Sequence, residues 1–313
     1  MGKIAFIFPG QGSQQVGMGQ EFVEQNVQSA EVFKQADERL GYPLSSIIAE
    51  GPEETLTRTE NTQPALLTTS IAILKALEQY DIRPDFTAGH SLGEYTALVA
   101  SKALTFEDAV YAVRRRGMFM EEAVPAGKGA MAAILGMDAE QLDSITDRIT
   151  AEGDSVQLAN LNCPGQIVIS GSKGGVDKAS EAAKEEGAKR IIPLQVSGPF
   201  HSELMKPAAE KMADVLDELT ITNAEIPVVA NVTAKPVTGA DEIRSKLIEQ
   251  IYSPVRWEET VRYLLDEGVD TFVEIGPGKV LSGLVKKVHR RATTVAISDP
   301  ESLEAAVKKL KEV

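Results

Sequence analysis

This chain of 313 residues contains one cysteine, three histidines and no long apolar run. With Cys163 as its only cysteine, the chain cannot form an intrachain disulfide, and nothing indicates an oxidising compartment. No stretch approaches the roughly 18 apolar residues of a membrane span. The apolar run at residues 4–8 is too short for the core of a signal peptide. We therefore expect a cytoplasmic protein that is not inserted in a membrane.

Positive charge is also scarce, since 32 Lys and Arg stand against 46 Asp and Glu, giving a formal charge of −14. This balance argues against a general nucleic-acid-binding protein, whose surface would be basic. One cysteine and three scattered histidines give no ligand spacing, so we expect no metal site. Three local basic clusters remain as candidate docking points for a phosphate or an acidic partner: residues 114–116, residues 189–190, and Lys279 with Lys286, Lys287, Arg290 and Arg291.

Strand-like runs alternate with helical patterns, which is typical of an α/β protein. Thr105 and Asp108 form a candidate capping box for a helix that reaches about Met120. The other helices of this part are predicted over 20–40, 64–80, 203–219, 241–251 and 258–267, from 279, and around 303–310. The strands are predicted at 4–8, 86–88, 226–231, 270–275 and 293–297.

Residues 125–197 have a different pattern. They predict strands at 129–136, 156–161, 166–171 and 189–195 and helices at 139–151 and 175–187. The order β-α-β-β-α-β is the ferredoxin-like arrangement, and Pro and Gly interrupt regular structure at 125–127 and 197–199. We therefore predict an α/β-hydrolase-like domain with a parallel sheet, formed by residues 1–124 and 198–313, with a ferredoxin-like domain of residues 125–197 inserted in it. A cleft between two such lobes is a natural ligand site.

Residues 89–94, GHSLGE, match the G-x-S-x-G nucleophile elbow, a sharp strand-to-helix turn that presents a serine hydroxyl at its tip. Ser91 would occupy the tip, and the glycines leave room for its strained backbone. A helix that begins here also aims free N–H groups at negative charge forming beside the serine. The motif also arises by chance, so taken alone it leaves an ordinary strand–turn–helix equally open.

A serine nucleophile needs a base, and histidine is the usual base near neutral pH. His201 is the favoured candidate, because it lies on a loop before a helix and at a predicted domain boundary. His90 adjoins Ser91 but leaves the tip in another direction, and His289 lies in a basic helical stretch. The group that orients the base stays open, since an acidic residue between Ser91 and His201 or a backbone carbonyl would serve.

Two glycine-rich segments fail the patterns for phosphate binding. Residues 10–15 lack the third glycine of a dinucleotide fingerprint, and residues 276–280 lack the earlier glycine and the Ser or Thr of a P-loop. The first segment still matters, because a Gly-Gln-Gly turn at the end of a strand can offer an N–H to an oxyanion.

Motifs along nearly the whole chain, in family order, resemble those of the malonyl-CoA:acyl-carrier-protein transacylases of fatty acid synthesis. Such a set is far more specific than the elbow alone. Besides GHSLGE, the matching segments are 8–14, 62–66, 116–117, 120–125, 129–133, 160–171, 200–201, 204–208, 254–255 with Trp257, and 274–281.

The resemblance implies a ping-pong transfer of malonyl from coenzyme A to the phosphopantetheine thiol of acyl carrier protein, without a cofactor. Ser91 would be the nucleophile and His201 the general base. The N–H groups of Gln11 and Leu92 would form the oxyanion hole, a device worth on the order of 10²–10³ in rate per donor. In this family a glutamine main-chain carbonyl orients the histidine, and Gln250 has the matching position, which would explain the missing acid.

The resemblance also assigns the malonyl carboxylate to Arg116. A guanidinium binds a carboxylate through two parallel hydrogen bonds and would leave a neutral acyl group without a partner. Arg114 and Arg115 are adjacent alternatives, but only Arg116 directly precedes the glycine of the family pattern.

Three further residues follow from the resemblance. Phe200 is similar to the residue that crowds an α-methyl branch in malonyl-selective members, and Asn160 and Asn162 would contact the pantetheine arm. The acidic carrier protein would dock on one of the basic clusters. Two other functions stay open from the residues alone: a serine esterase or thioesterase on the same elbow, and a non-catalytic module that docks a carrier protein.

Overall fold

A computed structural model describes residues 2–125 and 127–311, which form two β-sheets surrounded by helices. The strands are β1 (Lys3–Phe8), β2 (Phe86–Gly89), β3 (Gly129–Leu135), β4 (Val156–Cys163), β5 (Gln166–Ser172), β6 (Arg190–Pro193), β7 (Val228–Val229), β8 (Pro236–Val237), β9 (Val269–Ile275) and β10 (Thr293–Ile297).

The helices alternate with these strands along the chain. They are α1 (Gln20–Gln25), α2 (Val27–Leu40), α3 (Leu44–Glu50), α4 (Glu53–Thr57), α5 (Thr59–Glu78), α6 (Gly93–Ala100), α7 (Phe106–Glu122), α8 (Ala139–Ala151), α9 (Lys173–Glu185), α10 (Lys206–Glu218), α11 (Ala240–Gln250), α12 (Trp257–Asp266), α13 (Val280–Val288) and α14 (Pro300–Lys311). A short 3₁₀ turn, Glu203–Met205, precedes α10.

The larger sheet has the strand order β10-β9-β1-β2-β7-β8, in which the first five strands are parallel and β8 is an antiparallel edge. Its central strand β1 is buried from Ala5 to Phe8, as expected for a parallel sheet that is covered on both faces. Phe8 pairs with Gly89, so β1 and β2 end side by side. The loops that follow these two strands therefore meet at the carboxyl edge of the sheet, where open α/β sheets bind ligands.

The smaller sheet has the order β4-β5-β3-β6 and is antiparallel throughout. Helices α8 and α9 pack on it around an apolar core that includes Ile134, Leu142, Ile145 and Ile169. This lobe lies in the chain between α7 and α10, although β2 and β7 on either side of it are neighbours in the larger sheet. The mixed α/β fold and the second sheet predicted from the sequence are confirmed.

The two lobes are joined by backbone hydrogen bonds at the free edge of β4. Leu161 N–H donates to the Val255 carbonyl at 2.9 Å, and Val255 N–H donates to the Ala159 carbonyl at 2.8 Å. Val255 precedes α12, whose first residue Trp257 is completely buried. This connection fixes the position of β4, and hence of Asn160, relative to the larger sheet.

Several element boundaries differ from the predictions. The predicted helix over 20–40 is interrupted at Asn26, whose side chain caps α2 by accepting from Ser29 N–H. Helix α5 begins at Thr59, five residues before its predicted start, and contains Pro64 in its interior, where the ring removes one backbone hydrogen bond of the helix. The predicted strand at 226–231 shortens to β7. Thr105 is the N-cap of α7, since its Oγ1 accepts from Asp108 N–H at 3.1 Å, which is one of the two bonds of the predicted capping box.

The sequence patterns missed the short elements α3, α4 and β8. Each has fewer than eight residues, too few to establish a period. Ala126, in the middle of one predicted domain boundary, lies outside the described residues. Within residues 2–125 and 127–311, no helix is long and apolar enough to cross a membrane.

Candidate active site

Ser91 sits at the tip of the turn between β2 and α6 with a backbone φ of 53°, in the left-handed region that L-residues rarely adopt. Close backbone contacts leave no room for a Cβ atom at either glycine of the motif. A Cβ on Gly89 would overlap the backbone of Gly93, and a Cβ on Gly93 would overlap the Phe8 carbonyl. The local backbone therefore has the form that the motif predicts.

Ser91 and His201 are in hydrogen-bond contact although 110 residues separate them. Ser91 Oγ lies 2.8 Å from His201 Nε2, and His201 Nδ1 lies 2.8 Å from the Gln250 main-chain carbonyl. Because a carbonyl only accepts, Nδ1 carries the proton and Nε2 offers its lone pair to the serine hydroxyl. Of the two orienting groups that the residues left open, the structure places the carbonyl against His201.

The electrostatic surroundings keep His201 neutral. Burial, and after it the nearby positive charge of Arg116, lower the pKa of this imidazole to about 3. Burial outweighs the hydrogen bond that Gln250 accepts, which favours the charged form. At neutral pH the ring is therefore unprotonated at Nε2 and able to take a proton.

The loop that carries His201 is itself held in an uncommon conformation, with a φ of 58° at this residue. Gln157 of β4 fastens the loop, since its Nε2 donates to the His201 carbonyl at 3.2 Å and its Oε1 accepts from Glu203 N–H at 2.8 Å. Sequence reasoning missed Gln157, because no motif marks it and the contact joins two lobes.

Arg116 projects from α7 into the same site and is 1% exposed. Its NH1 donates to Gln63 Oε1 at 2.8 Å, and its NH2 donates to Gln250 Oε1 at 2.9 Å and to Ser91 Oγ at 3.1 Å. Its Nε is buried and has no partner among the described residues. Burial lowers the pKa of this guanidinium, and Tyr95 and Glu94 act in the opposite direction.

The neighbouring arginines of the cluster at 114–116 point elsewhere. Arg114 donates to Asn61 Oδ1 and stacks on Tyr42, and the guanidinium of Arg115 lies over the Phe119 ring. Of these three arginines, Arg116 is the one that contacts Ser91.

Gln11 and Leu92 flank the serine from two different loops. A Cβ on Gly10 would come within 2.5 Å of the His90 carbonyl, so the loop after β1 lies directly against the elbow. In the part of the chain that the structure describes, neither the Gln11 nor the Leu92 N–H donates a hydrogen bond. Both residues line the same cavity as Ser91, and two unpaired N–H groups in such a place are what an oxyanion hole requires.

A cavity of about 120 Å³ opens above Ser91 Oγ. Of the residues predicted to bind substrate, Phe200 and Asn160 line it, and Asn162 does not. Asn162 Oδ1 lies 2.8 Å from His90 Nε2 instead, so it contacts a residue of the wall. The full lining is Gln11, Gln63, His90, Ser91, Leu92, Arg116, Met120, Met131, Asn160, Leu194, Val196, Phe200 and His201.

Two buried polar residues, Asn231 and Glu94, support the elbow on the side away from the cavity, and neither had a predicted role. Asn231 accepts from Ser91 N–H at 2.8 Å and donates from Nδ2 to the Gly89 carbonyl at 2.7 Å. Glu94 Oε2 accepts from Asn231 N–H at 3.0 Å. Burial raises the pKa of Glu94 to about 7. Glu94 belongs to the GHSLGE motif, whereas Asn231 has no recognisable signal in the sequence.

The site contains groups for acyl transfer and no cluster of metal ligands. Among the residues that the structure describes, no group of three or more His, Cys, Asp or Glu could hold a metal ion. A serine with a neutral histidine base, two free N–H groups and a guanidinium can form and stabilise a covalent acyl ester.

Comparison with known proteins bears on the same chemistry. The family model of the acyl transferase domain matches residues 5–307. The chain is 65% identical over 312 residues to the malonyl CoA-acyl carrier protein transacylase of Bacillus subtilis (strain 168), an alignment that covers 100% of this chain and 98% of that protein.

Solved structures show the same similarity in three dimensions. The malonyl CoA-acyl carrier protein transacylase from Coxiella burnetii superposes with a TM-score of 0.96 at 43% identity, covering 99% of this chain and 98% of that one. A malonyl-transacylase in complex with its type II PKS acyl-carrier protein superposes with a TM-score of 0.95 at 44% identity, covering 98% and 99% of the two chains.

Proposed function

This chain belongs to the acyl transferase domain family, and we propose from that premise that it transfers a malonyl group from coenzyme A to acyl carrier protein in fatty acid biosynthesis. The observation that carries the proposal is the guanidinium of Arg116, buried 3.1 Å from Ser91 Oγ. A positive charge at that distance suits an acyl group that bears its own carboxylate. The cavity of about 120 Å³ has room for a group of this size.

In the first half-reaction Ser91 Oγ attacks the thioester carbonyl while His201 Nε2 takes the hydroxyl proton. The oxyanion that forms is stabilised by the N–H groups of Gln11 and Leu92. When this intermediate collapses, the carbon–sulfur bond breaks and the coenzyme A thiolate leaves with the proton held by His201. The product is a malonyl ester on Ser91. The 2.8 Å contacts on both ring nitrogens of His201 support these roles.

In the second half-reaction the phosphopantetheine thiol of the carrier protein takes the place of coenzyme A. His201 removes the thiol proton, the sulfur attacks the ester carbonyl, and Ser91 Oγ leaves and regains a proton from His201. The two halves make a ping-pong cycle in which protons and acyl group balance and no cofactor takes part. The same neutral imidazole acts in both directions, because its Nδ1–H stays on the Gln250 carbonyl throughout.

Arg116 holds the malonyl carboxylate in this scheme. Its NH1 has a second N–H beyond the one given to Gln63, and its NH2 is released from Ser91 Oγ once that oxygen becomes part of the ester. Two N–H groups of one guanidinium thereby face the carboxylate. Phe200 and Asn160 form the wall of the same cavity, and Phe200 limits the width available beside the acyl group.

The finer description of the fold is part of the proposal. The order β4-β5-β3-β6 with two helices on the sheet supports a ferredoxin-like domain over residues 125–197. The parallel sheet with its elbow supports an α/β-hydrolase-like domain over residues 1–124 and 198–313. We place the enzyme in the cytoplasm, where coenzyme A thioesters are available.

One basic cluster is better placed than the other two to dock an acidic carrier protein. The cluster at 114–116 is engaged within the protein, and Arg190 lies on the sheet edge opposite β4. Lys287 of α13 donates to Gln166 at 2.9 Å, close to the turn that follows Asn162. We propose that the carrier docks at this third cluster, all exposed: Lys279, Lys286, Lys287, Arg290 and Arg291.

The test is the intact mass of the protein after mixing with malonyl-CoA, followed by peptide mapping. We expect a malonyl adduct on Ser91 that disappears when carrier protein bearing phosphopantetheine is added and reappears on the carrier. The Ser91→Ala variant should form no adduct. Rapid release of free malonate without carrier would indicate a hydrolase, and carrier loading that survives Ser91→Ala would indicate a route without this serine.

A further inference from the structure

Glu94 is a buried carboxylate that the proposed reaction does not use. Glu94 is only 2% exposed and lies in the first turn of α6, three residues after Ser91. A single oxygen, Oε2, accepts from Asn231 N–H at 3.0 Å and from Gln250 Nε2 at 2.7 Å. Burying a carboxylate costs free energy unless hydrogen bonds compensate for the lost water, and these two contacts provide that compensation.

The contact with Gln250 leads directly to the substrate clamp. The same side-chain amide that donates to Glu94 through Nε2 accepts through Oε1 from Arg116 NH2 at 2.9 Å. Gln250 thus forms a bridge from carboxylate to guanidinium. Its main-chain carbonyl holds His201 independently, because the backbone there is fixed by the last turn of α11.

The side-chain amide of Gln250 can bridge Glu94 and Arg116 in one orientation only. Rotating the Gln250 amide by 180° would exchange its oxygen and nitrogen, and both ends would then face the wrong partner. The nitrogen would oppose the donor Arg116, and the oxygen would oppose the acceptor Glu94. Three acceptors face Gln250 Nε2, namely Glu94 Oε2 at 2.7 Å, the Ser91 carbonyl at 3.0 Å and Asn231 Oδ1 at 3.3 Å, and together they hold the orientation that presents an oxygen to Arg116. Glu94 makes the shortest of these contacts and is the one carboxylate among them.

We infer that Glu94 is a positioning residue for acyl-group selection: it fixes the amide of Gln250 and, through it, the guanidinium of Arg116 that receives the malonyl carboxylate. The inference rests on the proposed function. Glutamine at position 94 would fill nearly the same volume, but it lacks the carboxylate and its amide can turn a donor toward Gln250, so the shortest contact that holds the bridge would be weakened. The Gln250 amide that contacts Arg116 would then be held only by its longer bonds to the Ser91 carbonyl and Asn231 Oδ1.

A purely structural role for Glu94 predicts a different outcome. If Glu94 only braced the elbow through Asn231, its loss would slow the acylation of Ser91 by every thioester equally. The positioning role predicts loss for an acyl group with a carboxylate and little change for one without. The ratio of malonyl to acetyl acylation separates the two, and it is independent of how much of a preparation is folded.

The experiment measures acylation of Ser91 by malonyl-CoA and by acetyl-CoA on the same preparation, by quenched-flow intact mass. Glu94→Gln is expected to lower the malonyl-to-acetyl ratio at least about tenfold, as the loss of one hydrogen bond to a charged group implies. Gln250→Met, which removes the bridge but keeps the main-chain carbonyl, should lower the ratio similarly. The double variant should fall no further, because both changes break one chain of contacts.

Glu274→Gln is the matched control. Glu274 is also a fully buried carboxylate with two N–H donors, from Leu281 at 3.0 Å and Ser282 at 2.7 Å, and it has no hydrogen bond to Arg116 or Gln250. Its replacement should lower the melting temperature and leave the ratio within about twofold of the wild type, as expected for a buried hydrogen bond outside the site.

The measured ratios distinguish the positioning role of Glu94 from a structural role and from failure of the proposed function. An unchanged ratio in both Glu94→Gln and Gln250→Met, or equal loss of malonyl and acetyl transfer, overturns the positioning role. If Glu94→Gln does not fold, Gln250→Met decides by itself. A wild-type protein that forms no malonyl ester on Ser91 contradicts the proposed function instead, so the two failures are distinguishable.

Discussion

The two lobes contribute to the site in different ways. Ser91, Arg116, His201 and Gln250 all lie in the larger lobe. Ser91 and His201 are on loops, Arg116 projects from within α7, and Gln250 is the last residue of α11. The smaller lobe supplies part of the cavity wall through Met131 and Asn160. The groups that make and break bonds are therefore held by one rigid unit, and the second unit encloses the space above them.

The reason lies in the two kinds of sheet. Parallel strands all end at one edge, so loops far apart in sequence converge there, as those after β1 and β2 do. Antiparallel strands alternate in direction, so the loops of the smaller sheet are divided between its two ends. Gln157 is the exception that links the lobes, since it fastens the His201 loop from β4. This arrangement suits the proposed reaction, in which one serine takes the acyl group from one thiol carrier and passes it to another.

The largest effect is expected from Arg116→Ala, which changes the larger lobe and so tests whether that lobe alone holds the reacting groups. We expect acylation of Ser91 by malonyl-CoA to fall at least about 100-fold, because two charge-assisted hydrogen bonds to the carboxylate are lost. Acylation by acetyl-CoA should change less than about threefold, since a neutral acyl group makes no use of the guanidinium. Rapid-quench mass measurements with both thioesters give the two rates.

Arg115→Ala is the control for this change, because Arg115 is adjacent in sequence but lies over Phe119 outside the cavity. It should leave both rates near those of the wild type. Equal losses of malonyl and acetyl transfer in Arg116→Ala would contradict the carboxylate clamp and reduce Arg116 to a structural residue.

A smaller effect is expected from Asn160→Ala in the smaller lobe. Asn160 lines the cavity but has no contact with Ser91, Arg116 or His201 in the hydrogen-bond network. Loss of its side chain should raise KM for malonyl-CoA by about five- to tenfold, as one hydrogen bond to the pantetheine arm implies. The malonyl-to-acetyl ratio and kcat should stay near wild type. A large fall in kcat would show that the smaller lobe takes part in the chemistry.

The smallest effect is predicted for pH. An exposed histidine base would lose activity as pH falls through 6.5, whereas burial and Arg116 lower the pKa of His201 to about 3. The folded enzyme therefore keeps this base unprotonated from pH 8 to pH 5. Acylation by acetyl-CoA, which does not involve the carboxylate clamp, should vary less than about twofold over that range. Because the pKa of Glu94 also lies in this range, at about 7, the same profile is measured on Glu94→Gln. An inflection near pH 6.5 that persists in this variant would indicate that the base in use is more exposed than His201.

Sequence reasoning singled out the serine and the histidine that the structure brings into hydrogen-bond contact, and it did so for identifiable reasons. The elbow is a local pattern, because the close approaches of Gly89 and Gly93 require glycine at both positions. His201 emerged from a short list of three histidines. The smaller lobe was predicted from six consecutive elements whose periods are clear, and each forms with boundaries shifted by a few residues.

Residues whose role depends on distant partners could not be found in this way. Gln63, Gln157 and Asn231 contact Arg116, His201 and Ser91 across 53, 44 and 140 residues respectively. A glutamine or asparagine has no period and no motif that predicts such a partner. Asn162, expected on the substrate side, contacts His90 instead, because β4 is irregular between Leu161 and Cys163.

The sequence by itself determined the α/β class and the backbone of the elbow, since these follow from hydrophobic period and from local sterics, and it indicated Ser91 and His201 as the candidate nucleophile and base. Only the tertiary structure decided which arginine faces Ser91 and that a carbonyl orients His201. It also decided that Glu94, Gln250 and Arg116 form one chain of hydrogen bonds. The physical reason is that a hydrogen bond depends on distance and direction in space, and the packing of two lobes sets both.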